Sequence, residues 1–115
     1  MIVKTSDNIY EVEVFRTSYA NNDSLAVFLE TTDGEPFCRL TVNLPDSIAS
    51  EDYQYVDTNN IPWALDFIES NDLGVNTGIV GYSGFCEYPL VKFNLDKIKE
   101  VKWYEIFRNY WCLKD

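Results

Sequence analysis

The stretch Leu25-Ala26-Val27-Phe28-Leu29-Glu30-Thr31-Thr32-Asp33-Gly34-Glu35-Pro36-Phe37-Cys38-Arg39-Leu40-Thr41-Val42-Asn43-Leu44 decides the fold. Two apolar, β-branched runs flank Asp33-Gly34, a dipeptide whose residues tolerate the left-handed backbone of a tight hairpin loop. With Asp33-Gly34 as a two-residue loop, Thr32 opposes Glu35, Leu29 faces Cys38, Val27 faces Leu40 and Leu25 faces Val42. The last three pairs share one face, and it is apolar throughout. The other face sets Glu30 against Phe37, Phe28 against Arg39 and Ala26 against Thr41, a mixed and partly wet set. A slip of one residue would turn leucine and valine toward the wet side, so the pattern itself specifies the register.

Upstream, Ile9 to Arg16 alternates, with Tyr10, Val12 and Val14 on one side and Glu11 and Glu13 on the other. That is the period of a strand with one solvated face. Ser18 to Asp23 reads as a polar loop. Downstream, Pro45 stops the second hairpin strand because proline cannot donate to a ladder. Residues 46–54 read as an acidic loop, and Tyr53, Tyr55 and Val56 as a short extended piece. Asn60 is a candidate helix cap with Pro62 in the first turn. Trp63, Leu65, Phe67 and Ile68 recur at helical spacing, with Leu73 extending the face and Gly74 ending it. Val75 to Val80 predicts a strand, and Gly81 and Gly84 a bend or bulge. Glu87 to Asn94 predicts a strand whose Pro89 requires an edge or a bulge. Leu95 to Leu113 suits an amphipathic helix, although Val101-Lys102-Trp103-Tyr104 equally suits the start of a strand. The expected architecture is α+β: one domain over residues 1–115, an antiparallel sheet of four to six strands, one central helix and one C-terminal helix.

The chain has 115 residues, 46% of them hydrophobic and 16% aromatic, enough for a packed core and too many for a disordered acidic chain. Its net charge of −10 is uneven: residues 1–91 carry fifteen acids and three bases, and residues 92–115 carry four acids and six bases. Such a surface repels nucleic acid and anionic membrane, and suits a basic protein surface. No apolar run reaches the length of a signal peptide or a membrane span, which points to the cytoplasm. Cys38, Cys86 and Cys112 lie far apart among apolar neighbours and read as small hydrophobes.

Chemistry is sparse. The chain has no histidine, which removes histidine-based triads and the common zinc sites, and there is no phosphate-binding glycine loop. The expectation is a protein that is not an enzyme and uses no metal or cofactor. Asp57-Thr58-Asn59-Asn60 offers oxygen ligands, but Ile61-Pro62 interrupts any calcium loop, and an Asx turn opening the helix is the simpler reading. Tyr82-Ser83-Gly84-Phe85 reads as a sharp bend with its rings packed inside, or as an aromatic binding loop. The carboxylates carry the functional signal. Same-face strand residues repeat about every 6.6 Å, so Glu11 and Glu13 match neighbouring phosphates on one DNA strand. With Asp46, Glu51, Asp52, Asp57, Asp66, Glu69 and Asp72 they make a candidate nucleic-acid-like interaction surface; a solvated acidic surface that keeps the protein soluble is the competing reading.

Three segments carry a resemblance: Leu40-Thr41-Val42-Asn43-Leu44-Pro45, Tyr55-Val56-Asp57-Thr58-Asn59-Asn60 with Pro62 behind it, and Ser83-Gly84-Phe85 with Tyr88-Pro89-Leu90. Over Leu40 to Phe93 the chain resembles a poorly characterised family of small acidic proteins from bacterial phages, plasmids and conjugative elements. The resemblance implies a cytosolic accessory protein of a mobile element. Such elements encode small acidic inhibitors of host defence, anti-CRISPR proteins among them, so a CRISPR nuclease is one implied partner. The other functional class is a structural or interaction protein, dimeric through Trp103, Tyr110 and Trp111.

Overall fold

In chain order the elements are β1 (Ile2–Lys4), β2 (Ile9–Ser18), β3 (Leu25–Thr31), β4 (Pro36–Arg39), β5 (Thr41–Val42), β6 (Tyr53–Val56), α1 (Ala64–Ser70), β7 (Gly74–Ser83), β8 (Cys86–Phe93) and β9 (Lys99–Glu100). They come from a computed structural model that describes residues 1–5, 7–19, 23–44 and 51–101. The class is α+β, but the strands form two sheets rather than one. The first has the order β1-β2-β3-β4, with β9 parallel to β2, and the second has the order β5-β6-β8-β7. The C-terminal helix is not found where it can be checked: Leu95–Lys97 is a single 3-10 turn and Lys99–Glu100 is extended. Lys99 and Glu100 pair with Phe15 and Arg16, and Arg16 Nε donates to the Ile98 carbonyl, so sheet pairing overrides the helical period here. The rest of that expected helix, with Trp103, Tyr110, Trp111 and Cys112, lies outside the described residues, as does Asp46.

The hairpin forms with a longer loop than its sequence predicts. Thr31 N–H donates to the Glu35 carbonyl and Gly34 N–H to the Thr31 carbonyl, leaving Thr32-Asp33-Gly34 as a three-residue loop with Gly34 at φ +87°. This is a type I turn closed by a left-handed glycine. One extra residue, Phe37, then restores the expected pairs Leu29–Cys38 and Phe28–Arg39. The bulge also turns Phe37 from the wet face to the core, where its ring meets Tyr10 at 4.9 Å and Trp63 at 6.3 Å.

At Leu40 the chain leaves one sheet for the other. Its N–H donates to Val27 in the first sheet, and its carbonyl accepts from Asp57 beside the second. The expected Leu25–Val42 pair therefore does not form; Val42 pairs with Tyr55. The Thr41 hydroxyl accepts from Val27 N–H in place of a strand carbonyl. Behind the crossing, Gln54 is fully buried, at 0% exposure. Its Nε2 donates to the Leu25 carbonyl at 2.7 Å and to Ser24 Oγ at 3.2 Å, while Oε1 accepts from Tyr55 N–H at 2.9 Å.

The main core lies between the sheets. Val12, Val14, Val27 and Leu29 face Val56, Val91 and Phe93, with Ala64, Phe67 and Ile68 of α1 closing one side. The face read as partly wet is buried too: Phe15, Tyr19, Ala26 and Phe28 form a second cluster with Val101.

Helix α1 starts later than its sequence suggests and stops by a different device. Its first residue follows Trp63, which makes no side-chain cap, and the Asx turn is made by Asp57, which accepts from Asn60 N–H. At the end, Asp72 stands at φ +56°, with Leu73 N–H bonded to Ile68 and Asp72 N–H to Glu69. That is a Schellman stop with aspartate in the usual glycine position. Gly74 has another role: a Cβ there would lie 2.8 Å from the Lys92 carbonyl oxygen and 2.8 Å from Val91 Cγ1. Among the described residues no helix is long and apolar enough to cross a membrane.

Two substitutions test this account by chemical denaturation. Gly74→Ala is expected to lose about 1–3 kcal/mol, because the obstructing atom is backbone. Gln54→Leu is expected to lose about 2–4 kcal/mol by orphaning the Leu25 carbonyl and Tyr55 N–H. Wild-type stability in either variant contradicts the role given to that residue.

Candidate interaction surface

The carboxylates singled out in sequence fall into separate places. Glu11 and Glu13 project from one face of β2, exposed, and Glu13 stands directly opposite Glu30 of β3. Asp52 and Asp72 line an open groove of about 490 Å³ that Asp96 and Lys92 share. Asp96, which the sequence offers only as a cap for the expected C-terminal helix, reaches the groove through the 3-10 turn at Leu95. Asp66 and Glu69 are exposed on α1, and Glu51 is exposed just before β6. Asp57 is committed locally, with both carboxylate oxygens accepting from Asn60. Asp72 is paired with Lys97 at 2.6 Å. Among the described residues no three histidine, cysteine or acidic side chains gather as a metal-holding group.

The surroundings of Glu30 push its carboxyl upward. Partial burial is the largest cause, the facing Glu13 adds to it, and Lys99 of β9 pulls the other way. Cys38 and Cys86 are free and half-buried, and burial pushes the Cys38 thiol up to about 12, which keeps it protonated and unreactive.

The second feature is an apolar edge. Strand β7 ends its sheet, pairing only with β8 among the described strands. Val75 is 64% exposed, Ile79 48% and Tyr82 67%, and Phe85 is fully exposed at the hairpin tip. The rings of Tyr82 and Phe85 therefore do not pack inside, against the structural reading of this segment. Gly84 makes the bend as expected, at φ +61° in the two-residue loop between Ser83 and Cys86. Gly81 does not bend the strand; a Cβ there would lie 2.5 Å from Tyr55 Cε1, so it lets the ring lie flat on the backbone. The bulge sits earlier, between Asn76 and Val80. There Asn76 Oδ1 accepts from Gly78 N–H and Thr77 Oγ1 from Ile79 N–H, and Thr77 Oγ1 also donates to the Leu90 carbonyl. Pro89 is tolerated because β6 pairs only as far as Leu90. The sequence did carry a signal for this edge: Leu73 to Cys86 is its longest run without a charged residue.

The chain belongs to a family described as Domain of unknown function (DUF4313), which matches residues 13–110. No curated protein and no solved structure was found to match it.

The Glu13–Glu30 pair has a pH signature. A carboxyl raised on folding favours the fold when protonated, an advantage present below its ordinary value and lost as pH rises through its folded value. Glu30→Gln is therefore expected to raise Tm by about 1–3 °C at neutral pH, with the gap closing on acidification. A gap independent of pH, measured by thermal melts from about pH 4 to 7, contradicts the assignment.

Proposed function

We propose that this member of a family of unknown function is a non-enzymatic accessory protein of a mobile genetic element. It inhibits host defence in the cytoplasm by setting its carboxylates against the basic nucleic-acid-binding surface of a defence nuclease, CRISPR nucleases included. One observation carries the reading. Glu11, Glu13, Glu51, Asp66 and Glu69 are exposed and enter no ion pair among the described residues, so their charge is directed outward. Bases available to neutralise them are few: residues 1–91 contain only Lys4, Arg16 and Arg39. Charge of this kind steers association with a basic groove and is screened beyond about 8 Å at physiological salt. A second reading, an interaction protein that self-associates, draws its support from the uncharged edge of β7.

The test is cleavage by RNA-guided and other defence nucleases with and without the protein, across a salt series. Reversing Glu11, Glu51, Asp66 and Glu69 to lysine is expected to slow association about tenfold or more while moving Tm by under about 2 °C. Cleavage unaffected by the native protein in every nuclease removes the inhibitor reading. Inhibition that survives the reversal at high salt removes the charge-based mechanism.

A further inference from the structure

We infer that the distal half of β7, Val80–Ser83, and the Phe85 tip take up an extended segment of the partner protein as an added strand. The inference rests on the proposed function for its partner and names the part of that partner that is bound. An edge strand presents unpaired backbone groups, and folded proteins normally blunt it with lysine, proline or a bulge. Here the blunting is partial. The bulge at Thr77–Ile79 folds two N–H groups onto neighbouring side chains, and beyond it the strand runs regularly paired with β8 to the tip. That portion of the strand itself contains no charged residue. Phe85 is fully exposed and makes no ring contact among the described residues, whereas strand addition gives such a ring a pocket on the incoming chain.

Charge chooses the occupant. Glu87, exposed on β8 opposite Tyr82, borders that portion, in a body that is −12 over residues 1–91. A second copy would bring two chains of −10 together. A segment with alternating apolar residues and lysine or arginine at its ends meets both the apolar edge and the acidic margin at Glu87.

The probe is a strand-length peptide of alternating valine and threonine with paired lysines at both ends, alongside a twin ending in paired glutamates. Each is titrated into the full chain, with binding and amide hydrogen exchange measured. The lysine peptide is expected to bind and slow exchange within Val80–Ser83. Phe85→Ser and Val80→Lys are expected to weaken it about tenfold or more, as is the glutamate ending. Phe85→Ser is expected to leave Tm unchanged, so its effect reports binding alone. Absence of protection on β7, or equal binding of the glutamate twin, overturns the inference. So does a dimer of the chain alone, seen by sedimentation and split by Val80→Lys, since the occupant is then a second copy. Nuclease inhibition that is lost on acid reversal but intact in both edge variants overturns the added strand and keeps the proposed function. Absence of inhibition altogether overturns the proposed function, and the peptide arm then decides the edge by itself.

Discussion

The structure depends on the passage of one chain between two sheets at Leu40. A strand that changes sheets must abandon one ladder before it completes the next, and buried backbone groups left over at that point are costly. Side chains take them up: Thr41 Oγ1 accepts from Val27 N–H, and Gln54 supplies a donor to Leu25 and an acceptor to Tyr55. Tyr19 adds a hydroxyl bonded to the Thr41 carbonyl. Because these groups come from β3, β5 and β6 together, the crossing fixes the position of one sheet on the other. The apolar layer of Val27, Leu29, Val56 and Val91 packs in that arrangement.

Glycine and aspartate divide the remaining backbone work in an unusual way. The residue that ends α1 in left-handed geometry is Asp72, whose carboxylate is held by Lys97. Gly74 and Gly81, which look like punctuation, are contact points where a β-carbon would strike the Lys92 backbone or the Tyr55 ring. Both lie in β7, so neighbouring atoms approach that strand's backbone closely, while among the described strands it pairs only with β8.

Charge and apolar exposure are thereby separated on the surface. Carboxylates occupy the exposed end of β2, helix α1 and the groove beside β8, whereas the β7–β8 tip is uncharged from Leu73 to Cys86. Like charges are brought together where Glu13 faces Glu30, and Lys99 of β9 lies close enough to ease the repulsion.

By itself the sequence determined the local pieces. Alternation over Ile9 to Arg16, the pairs Leu29–Cys38 and Phe28–Arg39, the helix carrying Phe67 and Ile68, and the bend at Gly84 all follow from periods and turn chemistry within a few residues. It also carried the acidic balance and the uncharged run that marks β7. Tertiary structure alone decided the rest. The three-residue loop is closed by Gly34 in left-handed geometry, and the bulge after it turns Phe37 toward Tyr10 and Trp63, rings that lie far from it in sequence. Two sheets arise where one is expected because the switch at Leu40 depends on Gln54, whose partners lie about thirty residues away in sequence. Residues Lys99–Glu100 are extended because β2 offers an edge there, and an open edge can override helical periodicity. Phe85 is outside rather than inside for the same kind of reason. Hydropathy records that a ring prefers burial, but only the position of the hairpin beyond the core decides whether this chain can bury it.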